Sequence, residues 1–205
     1  QAWIDESRSR DRDVHGHHVA RIKPGVDLAE RDKAAYQQPG ADEQDERERD
    51  FDDAIEWSEK ALDLADEIGD VRSRVLALHR FGTATLLKGD NGGESVLKYA
   101  LSLALNARLP VEASGVYIAL ASSWLELHEL ERAEPYLVES ITFADEHQLG
   151  GFLTPTLGWY SQLMMYKGRW SEAEAPAHSV LNREHVSVVG RILALTALGR
   201  LYARK

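Results

Sequence analysis

Cysteine is absent from the 205 residues. Its absence excludes disulfides, thiolate metal centres and cysteine nucleophiles together. Long apolar runs are missing too. No stretch approaches the ~18 consecutive apolar residues that a membrane-spanning helix needs, and the first residues lack the pattern of a secretory signal. A cytoplasmic location with no membrane contact is the resulting expectation. Positive charge is in deficit: 24 Lys and Arg stand against 34 Asp and Glu, a formal net charge of -10. Phosphate backbones recruit basic faces, so this balance argues against direct nucleic-acid binding. No G-x-x-x-x-G-K-[ST] occurs, which removes the phosphate-cradling loop of P-loop ATPases. Alternating β-branched residues are scarce, and no sheet is expected.

The length suffices to bury a sizeable core. Composition changes near residue 50. Residues 1–50 carry 13 acidic and 9 basic residues, few apolar ones, and the turn pairs Pro24-Gly25 and Pro39-Gly40. This reads as a poorly patterned segment of short helices or linker, with helix resuming near Glu43. Residues 51–205 read as a helical domain. The chain opens on Gln1 and stops at Lys205 within an amphipathic run, as expected of a piece of something longer.

Helical periodicity then dominates. Phe51, Ala54, Ile55, Ser58, Ala61, Leu62 and Ala65 lie at i, i+3, i+4 and i+7 spacings and form one apolar stripe. Gly69-Asp70 ends that helix and caps the next. Further helices are predicted over Val71–Lys88, Glu94–Ala107, Val111–His128, Glu131–His147, Phe152–Lys167, Ser171–Arg183 and Ser187–Arg204, with Pro110 opening the fourth. The segments ALDLADEIG (61–69), ALSLALNAR (100–108) and SITFADEHQ (140–148) align Leu62 with Leu101, Ile141 and, more weakly, Val180, at steps of 39, 40 and 39. A fixed period of this size means stacked helical hairpins, because one hairpin cannot bury its own stripe. The segment GRWSEA (168–173) places glycine in the turn and a small residue where two helices cross, with Trp170 assigned to the core. Gly82, Ala121 and Gly199 are read as small contact residues in first helices, Tyr202 filling the gap beside Gly199. These are marks of the tetratricopeptide repeat, here with a period longer than its usual ~34 residues. The fold class is all-α: a tetratricopeptide-like α–α superhelix of about four hairpins.

The segments AIEWSEKALDLADEIGD, ALHRFGTATLLKGDNGGESVLKYALSLAL, GVYIALASSWLELHELERAEPYLVESITFADEHQL and GRWSEAEAPAHSVL resemble the helical-repeat region of large LuxR-type ATPase transcriptional regulators, the MalT-like signal-transduction ATPases. The resemblance covers roughly residues 51–205. It implies a helical array that senses an inducer or partner and controls an ATPase module before it and a helix-turn-helix module after it; the right-handed superhelical sense is carried over from tetratricopeptide arrays. Residues 1–50 match nothing in that family.

Several clusters invite functional readings. His15, His17 and His18 have the density of a zinc or nickel site but no fixed fourth ligand, and read as an incidental exposed cluster. Gly89-Asp90-Asn91-Gly92-Gly93 reads as a capped helix connection rather than an anion loop, since no lysine follows at P-loop spacing. Glu126, Glu129, Glu131 and Glu134 read as a solvated face rather than an acid–base pair. Ser122, Ser123 and His128 match a nucleophile and base in composition only. Trp159, Tyr160, Tyr166 and Tyr117 are the candidates for a groove that anchors a peptide or small ligand, with hairpin packing as the alternative. No catalytic residue, metal or cofactor is expected. The leading reading is a non-catalytic regulatory module that takes a protein or peptide partner or a small-molecule inducer. The alternative is a free-standing adaptor, with self-association through terminal repeats.

Overall fold

The structure, a computed structural model, describes residues 41–184 and 186–204, with side chains from Asp50 onward. His15, His17 and His18 lie outside the described residues. One compact unit spans Glu43–Lys205. Among the described residues it contains eight helices and no strand: α1 (Ala41–Ile68), α2 (Val71–Leu87), α3 (Gly92–Asn106), α4 (Pro110–Glu126), α5 (Leu130–Glu146), α6 (Gly150–Tyr166), α7 (Trp170–Leu181) and α8 (Val188–Tyr202).

Each helix stops for a local reason that recurs through the chain. After α1, α3 and α5 the backbone turns left-handed at Gly69, Arg108 and Gln148. After α2, α4 and α6 it does so at Gly89, His128 and Gly168. Both sets are spaced 39 and 40 residues apart. In every case the next amide reaches back to the helix end, as Asp70 N does to the Ala65 carbonyl (3.0 Å), Leu109 N to Ala104 (2.9 Å) and Glu129 N to Trp124 (2.8 Å). These closures satisfy carbonyls that the helix leaves unpaired. Starts are less uniform. Asp70 caps α2 by accepting from the amides of Arg72 and Ser73, and Ser187 caps α8 through Gly190 N. Pro110 occupies the first turn of α4, where the missing N–H costs nothing.

The helices pair into hairpins α2–α3, α4–α5 and α6–α7. The first helices also stack on one another, α2 on α4, α4 on α6 and α6 on α8, while each second helix meets the first helix of the following hairpin. By register α1 is a second helix: Ser58, Leu97, Leu137 and Ala177 are its buried equivalents through the array. By the same register α8 is a first helix. The core repeats accordingly, through Leu86, Leu125 and Met165 on the first helices and Ala65, Ala104 and Ala144 on the second.

Two sequence expectations need correction. The equivalent of Leu62, Leu101 and Ile141 is the half-buried Leu181, whereas the fully buried Val180 continues the row of Ala100 and Ser140. The last step is therefore 40. Gly199 does not continue the buried small-residue row of Gly82, Ala121 and Ser161: it is exposed, and a Cβ there would meet nothing within 4 Å, whereas Ala197 of α8 is buried.

Ion pairs tie successive repeats together. Glu94 on α3 accepts from Arg132 and from the Tyr136 hydroxyl (2.7 Å) on α5. Forty residues on, Glu134 accepts from Lys167 (2.5 Å) and Arg169 (2.8 Å). Forty further, Glu174 accepts from the Tyr202 hydroxyl (2.8 Å) on α8.

Candidate functional site

An uncovered apolar cleft of about 470 Å³ lies between α1 and α2. One wall is the α1 stripe Trp57, Ala61, Leu64 and Ile68; the other is Leu76 and Ala77 on α2, with Arg80 at its edge. Trp57, Leu64 and Ile68 are 67%, 58% and 64% exposed. The equivalents of Trp57 and Leu64 are covered elsewhere: Val96 and Tyr136 stand at the position of Trp57, Leu103 and Phe143 at that of Leu64, and all four pack half-buried against the core, whereas the equivalents of Ile68, Ala107 and His147, are exposed as it is. The cover is visible at Phe143, where Tyr117 of α4 tilts onto the ring at 5.4 Å between centroids. Helix α4 lies against α5 of its own hairpin and α6 of the next. Among the described residues no helix holds that place over α1 and α2.

Its electrostatics are lopsided. From Asp52 to the end of α1, Asp52, Asp53, Glu56, Glu59, Asp63, Asp66 and Glu67 stand against a single cation, Lys60. Lys60 lies over the Trp57 ring at 4.4 Å and pairs with Glu56. From α2, Arg74 pairs with Asp66 (3.3 Å) and Lys88 with Asp52.

The four groove candidates are not brought to one surface. Tyr117 serves the α4–α5 hairpin, and its hydroxyl is held above the ordinary tyrosine value by burial, assisted by Glu139. Trp159 and Tyr160 are half-buried against the core. Tyr166 is exposed at the end of α6, with the His128 ring edge-on at 5.8 Å and the Arg200 guanidinium 5.8 Å from its ring. Trp170, assigned to the core, is instead 41% exposed at the first position of α7, with Arg204 over its face.

The carboxylate cluster is partly an ion-pair network. Lys167 binds both Glu131 (2.8 Å) and Glu134. The Lys167 hydrogen bond does most to hold Glu134 below the ordinary carboxylate value, and Arg169 adds to it. Glu126, crowded by neighbouring atoms while still in contact with solvent, is pushed above it by desolvation. Ser123 is buried with its hydroxyl unpartnered, while His128 turns toward Tyr166. Gly93 is no loop residue; it packs against Gly82 and Leu86 inside the first hairpin. No three His, Asp or Glu residues among the described ones are grouped to hold a metal ion, and no helix there is long and apolar enough to cross a membrane.

No protein-family model matches the chain, and no curated protein matches it.

Proposed function

We propose that this chain is a non-catalytic, tetratricopeptide-like regulatory module of a LuxR-type transcriptional regulator, acting in the cytoplasm, and that it receives an amphipathic helix of a protein partner in the α1–α2 cleft. The cleft carries this reading. A helix fills the corresponding place in each complete hairpin, so the array's own packing states what shape of occupant fits. An apolar stripe at i, i+3/i+4 and i+7 would cover Trp57, Leu64, Ile68 and Leu76, which is the helix-in-groove mode of recognition. The acidic flank of α1 selects a partner helix that is basic beside the stripe. Regulation follows from stacking: a helix seated on α1 and α2 extends the array by half a repeat and alters what the neighbouring module meets.

A synthetic peptide with the α8 sequence, VVGRILALTALGRLY, is a suitable probe because it is a first-helix type, is basic and contains no tryptophan. Titration is expected to shift Trp57 emission to the blue, and Trp57→Phe is expected to remove that change. Leu64→Glu or Leu76→Glu should abolish binding. A scrambled peptide of equal composition that binds as well, or the absence of any saturable signal, counts against the reading.

A further inference from the structure

We propose that the pocket formed by the end of α3, the start of α4 and the end of α5 binds a carboxylate attached to an apolar or aromatic group, held by Arg108. The pocket has a volume of about 320 Å³. Its walls are Leu105, Leu109, Pro110 and Phe143, with Arg108 and His147 at the mouth and no acidic lining residue. The aromatic wall is rigid. Phe143 is tilted against Tyr117 on one side and stacked on His147, 4.0 Å between centroids, on the other. His147 is itself fixed, its Nδ1 donating to the Phe143 carbonyl at 2.9 Å. An apolar group entering here meets flat, pre-set surfaces and loses little entropy in finding them.

Arg108 supplies the polar half. Among the described residues its guanidinium has neither an ion-pair nor a hydrogen-bond partner. Of the other cations near the helix ends, Arg132 is engaged with Glu94, and Lys167 and Arg169 with Glu134. A planar guanidinium matches a carboxylate through two parallel hydrogen bonds. Arg108 also sits at φ 56, a left-handed position whose equivalent after α1 is Gly69. Holding a long side chain there costs about 1 kcal/mol, as it also does at Gln148 and His128, which share the conformation. The two equivalent junctions, at Gly69 and Gln148, carry no cation at that position.

This goes beyond the helix-binding reading and shares no residue with the α1–α2 cleft, so either can fail alone. The test uses the chain as it stands, titrated with 3-phenylpropionate and with 3-phenylpropanamide under nitrogen–proton NMR. The acid is expected to saturate with a dissociation constant near ~1 mM, and the amide to bind at least ~10-fold more weakly. Arg108→Gly is the informative variant. It deletes the guanidinium and places glycine where the backbone is left-handed, so the fold is kept. Its binding should fall at least ~10-fold while its melting temperature holds or rises. A peptide Ala-Ala-Phe with a free terminus presents the same chemistry. Tighter binding of the peptide than of the free acid would assign the pocket to chain ends, and the reverse to small acids. No saturation by about 10 mM of either, equal binding of acid and amide, or unchanged binding by Arg108→Gly overturns the proposal.

Discussion

Gly93 of α3 touches Gly82 of α2 backbone to backbone: a Cβ added to Gly93 would stand 2.5 Å from the Gly82 carbonyl oxygen and collide with the Leu86 amide as well. Backbone atoms cannot yield as a flexible side chain does. Gly93→Ala should therefore cost about 1–3 kcal/mol or more, the range for forced overpacking. Gly199→Ala is the internal control. It lies in the last turn of α8 with open space around its Cβ, and alanine there should gain up to about 0.5 kcal/mol. Urea unfolding followed by circular dichroism reads both. Equal effects of the two substitutions would show that the hairpin is not closed by this contact.

The left-handed closures give a second set of expectations. Gln148 holds φ 56 and is exposed, with a role met elsewhere by Gly69, Gly89 and Gly168. Gln148→Gly should stabilise by about 1 kcal/mol, since the Cβ penalty of that conformation disappears. His128→Gly, at φ 61, should gain less, because it also gives up the edge-on contact with Tyr166. Thermal melts of the two variants order them, and a lower melting point for Gln148→Gly would contradict the assigned backbone.

His79 predicts a pH window. It is half-buried between α2 and α4, with Arg80 beside it, Gly115 of α4 across from it and the Phe152 ring of α6 close by. Burial, with a smaller contribution from Arg80, lowers its pKa from 6.5 to about 4. The unfolded chain thus takes up the proton first as pH falls. The stabilisation is complete above pH 6.5 and is lost progressively down to about pH 4. Its size is roughly 2–3 kcal/mol, from 1.36 kcal/mol per pKa unit reduced for partial solvent contact. Denaturant midpoints measured from pH 7.5 to 4 should fall across that window and flatten in His79→Phe. The imidazole titration followed by NMR checks the cause directly.

Much of the architecture was legible in the residues. Helix limits such as Val71–Lys88, against the observed Val71–Leu87, follow from a 3.6-residue apolar period ended by glycine. The period of 39–40 was legible because buried alanines recur at the same helical face. Three kinds of feature were not. Arg108, His128 and Gln148 end helices without being glycine, so nothing in composition marks their backbone. Gly93 reads as a loop residue because its packing partner lies on another helix. The α1–α2 cleft has the same apolar stripe as the covered helices, and what distinguishes it is whether a neighbour lies over it. The aromatic candidates failed to converge for a related reason. Trp159 and Tyr160 are adjacent in the chain and therefore leave the helix in different directions, which no count of aromatics reveals.

The bridge between α3 and α5 supplies the last expectation. Desolvation raises the pKa of Glu94, but hydrogen bonds from Tyr136, Lys98 and Arg132 outweigh it and hold the carboxylate below its ordinary value of 4.5. The ionised form is therefore favoured in the folded state, so its contribution is complete above pH 4.5 and disappears as acid drives the folded carboxylate to protonate. Tyr136→Phe removes one donor from a half-exposed site and should cost about 1 kcal/mol at pH 7. Glu94→Gln should cost more than Tyr136→Phe, because it leaves Arg132 and Lys98 without their anion. In the double variant the two losses should fall short of adding, since both act on one network. Additive losses in urea unfolding, or a Glu94→Gln variant whose acid limb matches that of the parent, would place the inter-repeat coupling elsewhere, in the buried row of Leu97 and Leu137.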